Sequence, residues 1–208
     1  RIGTALWNSF RNAVVATLAS LTVCSIAGYG FETYHDRAKD WLMGILLLSM
    51  MIPFAAIMIP LFMMIGKANL LNTTAGFVLP TISTAFLIFL FRQSARYFPR
   101  EIIEAARIEG LGELGIFFRM YVPIMRSTYA AAAIITFMNA WNSYLWPLII
   151  MQKAESITMP LLISNLIAGY VTDYGMLMLA VSISVLPTIV IFLALQKNFA
   201  EGIVSSVK

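Results

Sequence analysis

Charged residues are scarce in this chain, and so are the residue types that build most metal and redox sites. Asp, Glu, Lys and Arg make up 12% of the 208 residues, about half of the share that a soluble domain carries. Cys24 is the only cysteine, so no disulfide can form within the chain. His35 is the only histidine, so the sequence offers neither a Cys/His cluster for a metal nor a Ser/His/Asp arrangement for catalysis.

A phosphate-binding loop is missing as well. The nearest fragment is Gly66-Lys67-Ala68, which lacks Ser or Thr after the lysine and a glycine five residues before Gly66. We therefore do not expect the chain to hydrolyse ATP, and we predict no cofactor and no metal in it. The net charge of +4 is explained by Lys and Arg in loops, and no basic stripe indicates a nucleic-acid partner.

Long apolar segments dominate the chain. Hydrophobic residues make up 60% of it, and a helix that spans a bilayer needs about 20 largely apolar residues in succession. Five segments predict such spans: 12–31, 41–65, 74–91, 128–150 and 174–195. The sequence therefore predicts an all-α, polytopic membrane helix bundle that forms one domain over residues 1–208. Prolines inside the spans predict kinks: Pro53, Pro60, Pro80 and Pro187.

Two of the connections between spans are long. Residues 92–127 are charged and helical in pattern, whereas the apolar character of 151–173 is interrupted at Thr158, Pro160 and Gly169. Ten of the 14 Lys and Arg residues lie in the loops 32–40, 92–127 and 196–208, and four lie in the opposite set. Because positively charged loops stay in the cytoplasm, we expect the 92–127 loop and the C-terminal tail to be cytoplasmic. Five spans then place Arg1 outside, so we also expect a span before it.

The most informative stretch runs from Pro99 to Gly110. Pro99 is typical of a helix start, and Gly110 can end the helix. Glu104 has the spacing to pair with Arg100 or Arg107. A smooth apolar face that could seat in a groove on a soluble partner is predicted from Ile102, Ile103, Ala106 and Gly110. Spacing alone leaves open an ordinary helix on the membrane surface.

Three motifs together resemble those of a known family. Glu104-Ala105-Ala106, followed by Glu109-Gly110, Phe117 and Pro123, resembles the EAA loop of bacterial ABC importer permeases. Mild departures from that pattern are Glu109 for Asp, Leu111 for Ala, Val122 for Leu and Ser127 for a second proline. The run Ala140–Leu148 is similar to the Trp-Asn and Leu-Trp-Pro-Leu run of the carbohydrate branch, and Phe192–Ile203 is similar to the tail of maltose-type permeases.

The resemblance implies the fold of a type I ABC importer permease, with the family's first span missing from this chain. It implies an inner-membrane, multi-pass subunit that works with a second permease subunit, a dimer of ATPase subunits that binds ATP and Mg, and a periplasmic or lipoprotein solute-binding protein. The coupling helix would seat in a cleft of the ATPase through Glu104, Ala105, Ala106, Arg107, Glu109 and Gly110. Tail contacts to the ATPase would come from Gln196, Lys197 and Gly202.

Uncharged polar residues in the last two spans are candidates for a solute path: Asn139, Asn142, Ser143, Tyr144, Ser182 and Ser184. The alternative is that they form hydrogen bonds between helices. Trp141 and Trp146 are expected near the outer membrane interface, where tryptophan is enriched.

The carbohydrate branch implies a sugar, oligosaccharide or sugar-like cargo. An amino acid, a peptide or a polyol phosphate is the alternative cargo. The interiors of the predicted spans hold no Asp, Glu, Lys, Arg or His, which disfavours an ion-coupled secondary transporter. A membrane scaffold without a solute path is a further alternative.

Overall fold

The computed structural model describes residues 1–169 and 173–205, with side chains except at 195 and 197–205. Within these residues the regular structure is helical and contains no strand, as the composition predicts. The α-helices are α1 Ile2–Thr33, α2 Arg37–Ser49, α3 Phe54–Lys67, α4 Thr74–Val78, α5 Ala85–Arg96, α6 Arg100–Ile108, α7 Glu113–Ile116, α8 Val122–Ile124, α9 Arg126–Trp141, α10 Leu145–Ile150, α11 Met159–Ile167 and α12 Tyr174–Ser205. A 3₁₀ turn at Leu79–Thr81 follows α4, and a π-helical turn at Phe117–Tyr121 follows α7.

The number of membrane-spanning helices differs from the prediction. In the described part of the chain, two uninterrupted helices are long and apolar enough to cross a bilayer, Ile2–Thr33 and Tyr174–Ala194. Two bent pairs qualify only if each pair counts as one span: α2 with α3, and α4 with α5. Length and composition thus support between two and four spans, and the predicted count of five is not confirmed.

Prolines mark both bent pairs. Pro53 immediately precedes α3, and Pro80 lies in the 3₁₀ turn between α4 and α5. Proline has no N–H to donate and restricts the residue before it, so a helix cannot continue undisturbed through either position. The predicted kinks are confirmed there. Pro60 and Pro187 lie inside α3 and α12.

The fourth predicted span is divided in two. α9 ends at Trp141 after 16 residues, and α10 begins at Leu145. The side-chain amide of Asn142 donates to the carbonyl oxygen of Met138 at 2.9 Å, where its own backbone N–H also donates at 3.0 Å. A polar side chain that competes for helix carbonyls favours such a break, and periodicity alone did not reveal it.

The connection at 151–173 contains a helix that the sequence reasoning missed. Thr158 caps α11 in an extended conformation, and Pro160 lies in its first turn. A polar cap followed by an early proline is a helix-start signal. Thr158 and Pro160, interpreted as interruptions, therefore begin a helix instead, and Gly169 lies just beyond its end.

The chain divides into two compact units. The first unit comprises Arg1–Ala19, Ile52–Ile82 and Ile134–Ala194. Its core contains both tryptophans of the fourth predicted span, each almost completely buried. The indole N–H of Trp146 donates to the carbonyl of Gly76 at 3.1 Å, and that of Trp141 to the carbonyl of Ser184 at 3.0 Å. Both rings therefore pack inside the unit, and their position near the outer membrane interface stays a prediction.

The second unit comprises Ser20–Met51, Ser83–Ala133 and the described part of Leu195–Lys208. An aromatic cluster at its centre joins α1 to the segment after α7. The Tyr29 ring lies 4.8 Å from that of Tyr121 and 5.2 Å from that of Phe117, and Phe98 packs edge-on against Tyr121 at 5.5 Å. The Tyr121 hydroxyl donates to the carbonyl of Phe91 at 3.2 Å. This cluster is the base on which α6 rests.

Candidate functional site

The helix predicted between Pro99 and Gly110 is present as α6. Pro99 is its N-cap, with extended backbone at φ −62° and ψ 127°. At the other end Gly110 has φ +83°, a left-handed conformation that glycine adopts without strain. The N–H of Gly110 donates to Arg107 and that of Leu111 to Ala106, at 3.0 and 2.9 Å. This pair of bonds is a Schellman motif, so the helix-ending role predicted for Gly110 is confirmed.

The two faces of α6 are the reverse of those predicted. Ile103 and Ala106 are 8% and 3% exposed, and they pack in the core of the second unit with Phe98 and Tyr121. An apolar stripe gains most by removal from water within its own fold. The predicted smooth docking face of Ile102, Ile103, Ala106 and Gly110 is therefore wrong as a whole, because its centre is covered by the chain itself.

The face that remains free has a different composition. It carries Glu101, Glu104, Ala105 and Ile108, which follow the i, i+3, i+4, i+7 spacing of one helix surface. Ile108 is 87% exposed. An exposed isoleucine beside an alanine, flanked by carboxylates, is an apolar spot with an acidic rim. Glu109 is exposed at the end of the helix.

The segment after α7 packs against the buried face of α6. Phe117–Tyr121 forms a π-helical turn directly before α8, whose second residue is Pro123. A proline ring clashes with the carbonyl four residues earlier in an α-helix, and a π turn widens the helix at that place. Phe117 and Tyr121 point into the aromatic cluster from this turn. The Phe and Pro of the loop motif therefore serve the packing of the loop.

Charges around α6 pair differently from the expectation. The Nε of Arg107 lies 2.9 Å from a carboxylate oxygen of Glu113, and the hydroxyl of Tyr34 donates to the other oxygen. The bond from Arg107, together with that from Tyr34, lowers the pKa of Glu113. The same bond to Glu113 raises the pKa of Tyr34 to about 12. Arg107 is thus engaged within the chain.

Glu104 keeps its charge available. Among the described residues neither Glu104 nor Arg100 makes a salt bridge. Both line a notch of about 190 Å³ beside α6, together with Glu32, Arg96, Arg107 and several apolar residues. Glu32 is held by Arg92 and Arg96 at 3.2 and 3.3 Å. Two unpaired, opposite charges therefore border one opening, which is an arrangement that can receive polar side chains of another protein.

The solute-path candidates lie in the first unit, and half of them have partners there. Asn142 bonds to Met138, and the hydroxyl of Tyr144 lies 3.0 Å from that of Ser164. The carbonyl of Ser184 accepts from Trp141. Ser143 is half-buried, whereas Asn139 and Ser182 are exposed. Hydrogen bonding within the protein therefore accounts for the side chain of Tyr144, whereas the bond at Ser184 is made by its backbone carbonyl.

A cavity of about 860 Å³ in the same unit is bordered by different polar residues: Arg1, Gln152, Lys153, Asn165 and Asp173. None of the six solute-path candidates lines it. Asn165 belongs to α11, the helix that sequence reasoning missed, so no helical face was available to predict it. Among the residues that the structure describes, no group of three His, Cys, Asp or Glu side chains could hold a metal.

The proposed tail contacts are only partly described. Gln196 is half-buried on α12. Lys197 and Gly202 lie outside the residues whose side chains the structure describes.

Comparison with known proteins places these features in a family. Residues 20–205 match the model of the binding-protein-dependent transport system inner membrane component. The lactose transport system permease protein LacG of Rhizobium radiobacter is 48% identical, over 97% of this chain and 74% of that protein. The arabinooligosaccharides transport system permease protein AraQ of Bacillus subtilis is 36% identical, over 95% and 70%. The sn-glycerol-3-phosphate transport system permease protein UgpE of Yersinia enterocolitica is 31% identical, over 99% and 74%.

Two solved structures share the fold. A bacterial ABC transporter involved in the import of the acidic polysaccharide alginate aligns with a TM-score of 0.83 at 22% identity, over 95% of this chain and 75% of that one. The MetNI methionine ABC transporter aligns with a TM-score of 0.66 at 13% identity, over 95% and 94%. The family match over residues 20–205 and the three permease relatives named above show that the chain belongs to the binding-protein-dependent transport system inner membrane components and is a permease subunit of an ABC importer.

Proposed function

We propose that this permease subunit serves the import of a sugar or oligosaccharide. The relatives at 48% and 36% identity carry lactose and arabinooligosaccharides in their names. The candidate solute-path residues are uncharged amides and hydroxyls, which suit the hydroxyl groups of a neutral sugar because they both donate and accept hydrogen bonds.

A polyol phosphate is the second candidate cargo. It is supported by the relative named for glycerol 3-phosphate, which is 31% identical over 99% of this chain. A phosphate carries about two negative charges at neutral pH and calls for Arg or Lys near its path. Since the predicted span interiors contain no cation, the neutral cargo is favoured.

We further propose five spans, in which α9 and α10 together form one broken span. The excess of Lys and Arg in alternate loops supports cytoplasmic placement of the 92–127 loop and of the tail. Irregular backbone within the membrane is tolerated where it is covered by protein or lines a cavity, which accommodates the break at Asn142–Tyr144.

Coupling to ATP is assigned to the free face of α6. Glu104 and Ala105 lie on that face beside Ile108, and they would enter a cleft of a separate ATPase subunit. Glu104 would meet a basic side chain there, Ala105 would permit close approach, and Ile108 would supply apolar contact. Ala106 anchors the helix in the core, Arg107 bonds Glu113, and Gly110 ends the helix. Glu109 at the helix end, and Gln196, Lys197 and Gly202 in the tail, remain further proposed contacts.

The partners that this mechanism requires are a second permease subunit, a pair of ATPase subunits that bind ATP and Mg, and an external solute-binding protein. ATP binding would close the ATPase pair and displace α6 together with the loop that carries it. The bundle would then change from inward-facing to outward-facing, and hydrolysis would reset it. Such a cycle needs two states that the nucleotide stabilises differently.

The observation that carries this proposal is the exposed, unpaired Glu104 on a helix whose opposite face is anchored. The test is Glu104→Lys in the complex reconstituted in proteoliposomes with its ATPase and binding protein. We expect loss of saccharide-stimulated ATP hydrolysis and weaker co-purification of the ATPase, with normal membrane insertion. The matched control is Glu155→Lys, the same charge reversal at an exposed residue in the loop predicted to lie outside. Transport that survives in Glu104→Lys would remove the docking role.

Cargo is tested with the unmodified complex. Lactose, arabinooligosaccharides and glycerol 3-phosphate are compared for stimulation of ATP hydrolysis in the presence of the binding protein. Stimulation by a saccharide supports the proposal. Stimulation by glycerol 3-phosphate alone would replace the sugar by the polyol phosphate.

A further inference from the structure

The loop that carries α6 is attached to the end of α1 in two chemically different ways. One attachment is apolar, through the contacts of the Tyr29 ring with Phe117 and Tyr121 in the aromatic cluster. The other is polar, through the hydrogen bond from the Tyr34 hydroxyl to Glu113. The two tyrosines are five positions apart, at the last turns of α1 and just beyond it. The C-terminal end of α1 therefore contacts the loop twice, through the apolar contact of Tyr29 and through the hydrogen bond of Tyr34.

The polar attachment reaches α6 through Glu113. One oxygen of its carboxylate accepts from Nε of Arg107, on the last turn of α6, at 2.9 Å. The other oxygen accepts from Tyr34, which is 79 positions away along the chain. A carboxylate with two oxygens in fixed geometry can hold two donors at once. A single side chain thus connects the helix of the loop with the end of α1.

Tyr34 is itself continuous with α1. Its backbone N–H donates to the carbonyl of Gly30 at 3.2 Å, which extends the hydrogen-bond pattern of the helix by one residue. A force applied at the Tyr34 hydroxyl therefore acts on the last turn of α1.

We propose that Glu113 is a positioning residue through which movement of α6 is passed to α1, by way of Arg107 on one side and Tyr34 on the other. The inference rests on the proposed coupling role of α6. Its consequence is that α1 is driven directly by the loop, in addition to α5 and α9, which flank the loop in sequence.

The stability that this link supplies is small, because all three side chains are about half exposed and exposed ion pairs contribute little to folding. Its effect on coupling is separable from stability, because coupling depends on how firmly two elements move together between states. Substitutions along such contacts change the coupling between two binding sites, here those of ATP and of the solute, even when the substituted residue touches neither ligand.

The test uses Tyr34→Phe and Glu113→Gln in the complete complex in proteoliposomes. The measured quantity is the number of saccharide molecules transported per ATP hydrolysed, using whichever of lactose or an arabinooligosaccharide stimulates the unmodified complex. We expect this ratio to fall about two- to tenfold in each variant, with co-purification of the ATPase unchanged. The matched control is Tyr97→Phe, a highly exposed tyrosine of the same loop whose hydroxyl makes no hydrogen bond among the described residues.

Two further variants identify the link itself. Tyr34→Phe combined with Glu113→Gln should lower the ratio no further than either change alone, because each interrupts the same path from Arg107 to Tyr34: Tyr34→Phe removes the donor, and Glu113→Gln leaves one acceptor oxygen for two donors. Replacement of both residues by cysteine should lower the ratio, and a short bis-maleimide that joins the two thiols should restore it. Cys24 is completely buried and does not compete for the reagent.

The outcomes separate this inference from the function on which it rests. An unchanged ratio in Tyr34→Phe and Glu113→Gln would overturn the link while leaving the coupling role of α6 intact. Loss of ATPase binding in these variants would make Glu113 a docking residue, and this result would also overturn the proposed link between α6 and α1. If the unmodified complex neither binds the ATPase nor hydrolyses ATP in response to any saccharide or phosphate tested, the proposed function itself fails.

Discussion

The backbones of α1 and α5 are in direct contact where Gly28 meets Arg92. A β-carbon on residue 28 would lie 2.7 Å from the backbone nitrogen of Arg92 and 2.6 Å from the β-carbon of Phe91. One turn after Gly28, the carboxylate of Glu32 lies 3.2 Å from Nε of the same arginine. The close approach at the glycine therefore brings the ion pair into range.

We expect Gly28→Ala to destabilise the protein by about 1–3 kcal/mol, because the new methyl group meets backbone atoms that cannot move aside. Thermal unfolding in detergent measures the effect. Gly30→Ala is the control, since a β-carbon at residue 30 would have no atom within 4 Å, and alanine is the better helix former. Equal melting temperatures for the two variants would contradict the close contact.

Arg92 is expected to be far less replaceable than Arg96, although both pair with Glu32. The Arg92 side chain is 4% exposed and also bonds Asp40, whereas that of Arg96 is 49% exposed. Arg92→Met should cost about 3 kcal/mol, because it leaves a largely buried carboxylate short of a partner. Arg96→Met should cost less than about 1 kcal/mol. Unfolding by denaturant compares the two, and a similar loss in both would show that burial of Arg92 has no energetic weight.

Gly110→Ala should destabilise the end of α6. A residue with a β-carbon at φ +83° costs roughly 1–2 kcal/mol, and Gly110→Asn should cost less because asparagine tolerates this conformation. Gly112→Ala serves as control, with φ −74° and no atom near its β-carbon. Melting temperatures and ATPase co-purification should both fall in Gly110→Ala only. Unchanged values would mean that the loop adapts to a different helix end.

Asn72 holds the loop after α10 through one atom. Its side-chain oxygen accepts from the backbone nitrogens of Gln152 and Lys153 at 2.6 and 2.9 Å, and from the hydroxyl of Ser156 at 2.9 Å. On the other side of this loop Asn8 donates to the carbonyl of Glu155 at 2.7 Å. The loop at 152–156 is therefore fixed from two directions.

Asn72→Ala should release this loop, since two backbone N–H groups lose their acceptor at about 1 kcal/mol each, while the Ser156 hydroxyl can still donate to the Lys153 carbonyl at 2.9 Å. We expect trypsin to cleave after Lys153 at least about tenfold faster. Asn72→Asp keeps an acceptor oxygen and should remain close to the unmodified protein. Asn69→Ala controls for backbone strain, because Asn72 and Asn69 both have positive φ, at +61° and +56°, and Asn69 does not make these bonds. Similar cleavage in the Ala and Asp variants of Asn72 would exclude the acceptor role.

The helix α6 shows how far sequence reasoning reached at the site. The proline at one end and the glycine at the other predicted its length, because both act through the local backbone. The orientation of its faces was predicted wrongly. Burial of Ile103 and Ala106 depends on Tyr29, Phe98 and Tyr121, and one of these comes from a helix some seventy positions away. The partner of Arg107 was missed for a different reason: Glu113 lies only six positions along the chain, but it reaches Arg107 only after the turn at Gly110 has formed.

In the predicted spans, too, local sequence features predicted some elements, and tertiary contacts decided others. Apolar length predicted where helices would occur, and prolines predicted the bends near Pro53 and Pro80. The break at Asn142 and the helix α11 were missed, because Asn, Thr and Pro are ambiguous between interrupting a helix and starting one. Their effect depends on which backbone groups are free to accept a hydrogen bond, and this is known only when the neighbours are in place.

Composition and motifs by themselves determined that this is a helical membrane permease without an ATPase of its own, since hydrophobic length, scarcity of charge and the EAA loop are properties of the linear chain. Only the tertiary structure decided which side of α6 is free, which charges remain unpaired, and that Glu113 joins the loop to α1. These depend on contacts between segments remote in sequence. Such contacts are selected by the burial of apolar surface and the pairing of charges, which no local pattern specifies.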